Sequence, residues 1–239
     1  MVTRRVSGRT GQPANRLLAA LPASDYRRIA PLLTPLALRL KRVLYKPGDV
    51  VPEVYFPGGG FVSVVSVLGS SDMVEVATIG NEGMVGVSAM TAGYRESVLT
   101  MVQMETESCV KMPAAAFRLE MNRHGALHEI VTRFQQTLLG SIMQSTACNA
   151  IHKVEQRLAR WLLTAHDRVG ADRIPLTQEF VAMMRGAARP TVTIVAGTLQ
   201  RAGLITYSRG TIVIRNRRAL EQASCECYQV TRDLSRRAY

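Results

Sequence analysis

Hydrophobic positions along this chain change their period three times. Residues 1–16 are polar, basic and aperiodic, which predicts a disordered arm. A short helix follows, with Ser24 as N-cap and Tyr26, Ile29, Leu32 and Leu33 recurring at helical spacing. From 40 to 113 the texture becomes short apolar runs broken by turn signals. Strands are predicted at 40–45, 53–56, 61–67, 73–79, 98–105 and 108–112, separated by Pro47-Gly48-Asp49, Pro57-Gly58-Gly59-Gly60, Gly69-Ser70-Ser71-Asp72 and Gly80-Asn81-Glu82-Gly83. Many short strands at that spacing predict a sandwich or jelly-roll.

After Pro113 a helical period returns and holds almost to residue 168. Leu127, Val131, Phe134 and Leu138 alternate spacings of four and three, as the a and d positions of a two-helix seam do. The seam then thins to Ser141, Ser145 and Cys148. It fits a dimerisation helix or a helix packed on its own domain, and the first reading is preferred. A second amphipathic helix, 151–168, carries Val154, Leu158, Trp161, Leu162 and Ala165 on one face and ends at Gly170. The domain boundary is placed near 149–150.

The segment beyond is the most informative. Thr177 suits an N-cap, with Glu179 in the first turn and Phe180, Val181 and Met184 facing inward. Gly186 supplies a turn, and Pro190 suits the first turn of a new helix, where its missing N–H costs nothing. Val192, Val195, Ala196 and Leu199 repeat at i, i+3, i+4 and i+7 and point inward. The opposite face, Pro190, Thr193, Ile194, Gly197 and Arg201 with Arg189 at its entrance, carries no acid. Helix, short turn and acid-free second helix is the layout of a helix-turn-helix. Leu204–Tyr207 and Thr211–Ile214 then read as a β-hairpin turned at Arg209-Gly210. A basic-tipped hairpin at that point is a wing, with Arg209 near the phosphate backbone or the minor-groove edge; Arg215, Arg217 and Arg218 either continue the basic surface or are merely solvated.

Charge sharpens this picture. The 239 residues carry 30 Lys and Arg against 18 Asp and Glu, a net +12. Six basic groups and one acid fall in 1–28, nine and ten in 29–149, and fifteen and seven in 150–239. A localised positive surface suits a polyanion, since neutralising phosphates releases counterions. By itself it equally fits a well-solvated protein or an anionic membrane surface. No stretch approaches a membrane span and the start lacks a signal-peptide core, so a cytoplasmic location is expected. The chain has four cysteines, Cys109, Cys148, Cys225 and Cys227, too few for a disulfide framework, so reduced thiols are expected. Cys225 and Cys227 could share a metal, but a zinc site usually needs four ligands and no further Cys or His lies nearby in sequence; an incidental exposed pair is preferred. No metal or cofactor is therefore assigned.

Enzyme classes find little support. Jelly-roll oxygenases need two or three His facing into the barrel, whereas His124, His128, His152 and His166 all fall in predicted helices. No P-loop or nucleophile elbow occurs. An RNA reader would need stacking aromatics, which make up 5% of the chain.

Over about residues 20–230 the sequence resembles the Crp/Fnr family of bacterial regulators, most specifically along LTQEFVAMMRGAARPTVTIVAGTLQRAGLITYSRGTIVI at 176–214. The resemblance implies a cyclic-nucleotide-type β-roll over 17–114, a dimerisation helix over 115–149 and a winged helix-turn-helix over 150–239, an α+β architecture. It implies that Arg189 contacts a guanine edge, with Thr177, Gln178, Thr191, Thr193, Gly197, Arg201 and Arg209 also at the DNA. Pro190 and Ile194 stand where the best-known members carry Glu and Arg, so base readout shifts toward Arg189, Thr191, Thr193 and DNA shape. The effector stretch departs further. Gly86-Val87-Ser88 replaces the ribose-holding Gly-Glu pair, and Arg95 with Ser97 stands for an adjacent Arg-Ser, which argues against cyclic AMP and leaves an unidentified small molecule. No Cys precedes 109, which argues against an N-terminal iron–sulfur sensor. The expectation is a homodimer on a pseudo-palindromic operator of double-stranded DNA, recruiting or obstructing RNA polymerase. A non-specific nucleic-acid or anionic-membrane binder is the alternative.

Overall fold

The computed structural model describes residues 12–69, 72–175, 189–208 and 210–237, with the backbone alone for 189–193 and 237. The chain divides into two compact units, one of Met1–Val64, Thr78–Leu138 and Arg237–Tyr239 and the other of Val65–Ala77 and Leu139–Arg236.

Seven strands are formed by the β-rich stretch. In one sheet β1 (Thr34–Leu38), β7 (Thr106–Pro113) and β3 (Glu53–Pro57) lie in the order β1-β7-β3. In the other, β2 (Val43–Tyr45), β6 (Leu99–Met104), β4 (Phe61–Val67) and β5 (Met73–Ile79) lie in the order β2-β6-β4-β5. The predicted runs match these strands closely, except that β1 was not foreseen: Pro35 within it reads as a strand breaker. As an edge strand paired only with β7, β1 tolerates the proline.

The first unit's core gathers Tyr45, Val54, Phe56, Val62, Met84, Val102 and Met112, all at most 1% exposed. Helix α1 (Arg16–Ala19) enters it through Leu17 and Leu18, and α2 (Ala23–Ile29) through Ile29. Asn15 caps α1 and donates from Nδ2 to the carbonyls of Pro57 and Gly83, each at 2.8 Å. The end of the expected disordered arm is thus an ordered, buried anchor. The sequence hid it because one Asn in a polar stretch carries no periodic signal.

Helices α3 (Ala114–Met121) and α4 (Ala126–Ile151) replace the single helix expected over 115–149. The break at 122–125 follows from Asn122 and Gly125, poor helix formers, with His124 held at φ 52°. Beyond it Leu127, Val131 and Phe134 are 1, 0 and 3% exposed and join the first unit's core, with Leu138 packed against it. Gly83 makes room for this helix, because a Cβ there would stand 2.2 Å from the Phe134 ring. The four residues assigned to a dimer seam therefore serve the helix's own unit. An a/d stripe of this length looks alike whether it meets a sheet or another helix.

In the second unit α5 (Val154–Val169) presents Leu158, Trp161, Leu162 and Ala165 to the interior and stops at Gly170, φ 65°. It packs on α6 (Arg189–Arg201) and α7 (Arg217–Ala223). The chain continues into α8 (Cys227–Arg237). Strands β8 (Arg173–Pro175), β10 (Thr211–Ile214) and β9 (Ile205–Ser208) form an antiparallel sheet in the order β8-β10-β9. Trp161 donates from Nε1 to Glu75 at 3.1 Å, within the same unit. No described helix is long and apolar enough to cross a membrane.

Candidate nucleic-acid interface

Helix α6 is positioned by its buried face. Val195, Ala196 and Leu199 are 2, 0 and 5% exposed, while Ile194 stands 64% exposed and Arg201 is exposed on the other side. Ile194 thus places an apolar side chain, mostly in water, on the outer face of an otherwise amphipathic helix. Gly197 lies on the same side and Arg201 bonds Thr198 Oγ1 at 3.2 Å. The side chains of Arg189, Pro190, Thr191 and Thr193 lie outside the described residues, although their backbone is helical. Thr177, Gln178 and the first helix of the motif also lie outside them, as does Arg209.

The hairpin registers Thr211 with Ser208, and Gly210, just before β10, takes φ 71°. The hairpin is tied to α6 by Tyr207 N, which donates to Gln200 Oε1 at 2.6 Å. Strand β8 extends the wing to three strands; its single buried residue, Ile174, left no alternation to read.

Of the arginines beyond the wing, Arg215 and Arg218 are exposed, and Arg215 bonds Thr206 at 2.8 Å. Arg217 is committed inward: it contacts Asp167 at 2.7 Å, Glu221 at 3.1 Å, the Tyr228 hydroxyl at 2.6 Å and His166 Nδ1 at 2.6 Å. Its guanidinium is a structural clasp of α5, α7 and α8. Partial burial works against its charge, and the hydrogen bond to Asp167 more than restores it.

The effector candidates sit in the first unit. Gly86 has φ 90° and a Cβ there would meet the Tyr45 hydroxyl at 2.6 Å. Val87 opens a short 3-10 turn, Val87–Met90. Ser88 donates to Glu96, Arg95 donates to the Gly48 carbonyl at 2.8 Å, and Ser97 is exposed. Ser88 and Arg95 are thus engaged by their own unit.

Two further features were not foreseen. Helix α4 exposes Leu139, Met143 and Ile151 at 45, 62 and 78%, with Ala147 also exposed between them. This apolar stripe lies just past the expected seam. Cys225 and Cys227, expected as an exposed pair, are 4 and 1% exposed and meet Cys148 and His152, far away in sequence.

Comparison with known proteins agrees with this geometry. Residues 156–223 match the model of the Crp-like helix-turn-helix domain. A global nitrogen regulator of Synechocystis sp. is 22% identical over 212 residues, covering 84% of this chain and 94% of that one. Among solved structures, a transcriptional regulator of the Crp/Fnr family from Eubacterium rectale superposes with a TM-score of 0.66 at 17% identity, over 88% of this chain and 98% of that one. A Crp-family transcriptional regulator from Thermus thermophilus gives 0.65 at 20%, over 79% and 96%. The chain thus shares the fold of these structures, with a β-sheet unit, a long helix and a C-terminal winged sheet. Within it, residues 156–223 form a domain of the Crp-like helix-turn-helix kind.

Proposed function

We propose that this protein is a transcription regulator of the Crp/Fnr type that acts as a homodimer, placing two copies of α6 in successive major grooves of a pseudo-palindromic operator. The observation that carries this is the surface of α6: a buried Val195-Ala196-Leu199 face opposite an exposed Ile194, beside the β9–β10 hairpin. Two-fold readers of this kind space their half-sites about one helical turn, ~34 Å, apart. In this reading Arg189 makes the guanine contact, Thr191 and Thr193 add polar contacts, and Ile194 packs on a thymine methyl. Thr177, Gln178, Arg201 and Arg209 hold the backbone.

The dimer seam is the exposed α4 stripe of Leu139, Met143 and Ile151, in place of the four buried residues before it. The β-roll does not take cyclic AMP: Val87 offers no ribose acceptor, and Arg95 is spent on Gly48. RNA polymerase is the partner through which binding changes transcription, and the location is cytoplasmic.

The test is selection of bound duplexes from a random pool by the purified full chain at near-physiological salt. A two-fold symmetric consensus is expected. Enrichment of no motif, with binding that vanishes as salt rises, would sink the reading in favour of a non-specific polyanion binder.

A further inference from the structure

We propose that Cys148, His152, Cys225 and Cys227 form a tetrahedral Cys3His site that binds one Zn2+ per chain and staples the C-terminal helix α8 to the end of α4. This stands apart from the DNA-binding reading. All four residues belong to the second unit.

Geometry carries the proposal. One ligand atom from each residue lies within 4.8 Å of the other three. Cys148 Sγ and Cys225 Sγ are 3.6 Å apart, and Cys227 Sγ and His152 Nδ1 are also 3.6 Å apart. With Zn–S near 2.3 Å and Zn–N near 2.0–2.1 Å, tetrahedral edges come to about 3.8 Å between sulfurs and about 3.6 Å between sulfur and nitrogen. The two distances fit those edges. A cubane iron–sulfur cluster would need its thiolates farther apart, and a disulfide far closer, at about 2.05 Å. The ligand spacing suits the elements as well. Cys148 lies in the last turn of α4 and His152 directly follows it, its N–H donating to the Cys148 carbonyl at 3.0 Å, so the two share one face. Cys225 and Cys227 bracket Glu226 at the start of α8, where the helix N-terminus favours a thiolate.

The surroundings are those of a ligand shell. His152 turns Nδ1 toward the sulfurs and directs Nε2 at Glu226, 3.2 Å away. A carboxylate accepting from Nε2–H leaves the Nδ1 lone pair free for a metal, the usual arrangement around zinc-bound histidine. Gln144 donates from Nε2 to Cys227 Sγ at 3.0 Å. Arg157 is 8% exposed, and its Nε, like that of Arg160, is buried without a hydrogen-bond partner. Three thiolates and a dication sum to minus one, which gives these cations a counter-charge in the interior. On metal binding the three thiols release their protons to solvent and the neutral imidazole releases none.

The experiment uses the full chain purified under reductant without chelator. One zinc per chain is expected by elemental analysis. After chelation, Co2+ added to the reduced wild type should give the visible bands of a tetrahedral ion and a thiolate-to-metal charge-transfer band, both abolished by Zn2+. Glu226→Gln, which leaves every ligand in place, should lower zinc affinity roughly 10–100-fold. Absence of zinc together with absence of the cobalt bands in the wild type would overturn the site. So would stoichiometric zinc kept by a Cys225→Ser/Cys227→Ser variant, visible absorption from bound iron, or a Cys148–Cys225 disulfide that persists under reductant.

Discussion

Single side chains divide here between those that hold the scaffold and those released for contact, and substitutions should separate the two. Arg217 reaches Asp167, Glu221, His166 and Tyr228 at once. Arg217→Ala should destabilise the second unit by about 1–3 kcal/mol, the cost of unsatisfied charge-assisted bonds, as read by denaturant unfolding. The salt slope of DNA binding should stay unchanged, because that guanidinium is not offered to phosphate. Arg209→Ala should do the reverse: weaken binding to all sequences alike and lower the slope by about one, at constant stability. In the first unit, Gly86→Ala should cost about 1–3 kcal/mol, since its φ of 90° and the Tyr45 hydroxyl at 2.6 Å from a new Cβ both oppose a side chain.

Helix α4 is the element on which periodicity and packing part company. Its first half gives Leu127, Val131 and Phe134 to its own core, and its second half leaves Leu139, Met143 and Ile151 in water. Burying each of them would gain part of the roughly 1.5–3 kcal/mol that a fully exposed side chain gains, the most at Ile151. Met143→Asp should therefore shift the chain to a monomer in sedimentation equilibrium and abolish cooperative operator binding. Leu127→Ala should instead lower unfolding stability by about 2–5 kcal/mol through cavity formation, with association unchanged. Strands β3 to β7 were legible because turn residues punctuate the β-branched runs, and α6 with its hairpin because a 3.6-residue period gives way to Arg-Gly. The target of the apolar stripe at 127–138 was not legible, since one face of a helix says nothing of what covers it. Strand β8, with one buried residue, and the cap at Asn15 carry no period at all.

At the scale of the whole molecule, what the sequence hid is what folding brings together across long separations. Cys148 and Cys225 are remote in the chain and 3.6 Å apart in space, so a search for near neighbours of the Cys-x-Cys pair had to miss the other half of the cluster. Helix α6 and the hairpin after it, by contrast, are local, and both could be read from residue order alone. Of the net charge of +12, the C-terminal 150–239 carries fifteen basic groups against seven acids, so affinity should fall steeply with salt while the order of preferred sequences should not change.

In the proposed function α6 reads bases through Arg189. The most direct measurement is to repeat the random-duplex selection with Arg189→Ala beside the wild type, at one salt concentration. The expected result is a consensus that loses its preference at one base pair placed symmetrically in each half-site, with ~1–3 kcal/mol lost on the wild-type winner and the other positions retained. An unchanged consensus at unchanged affinity would contradict the recognition-helix assignment.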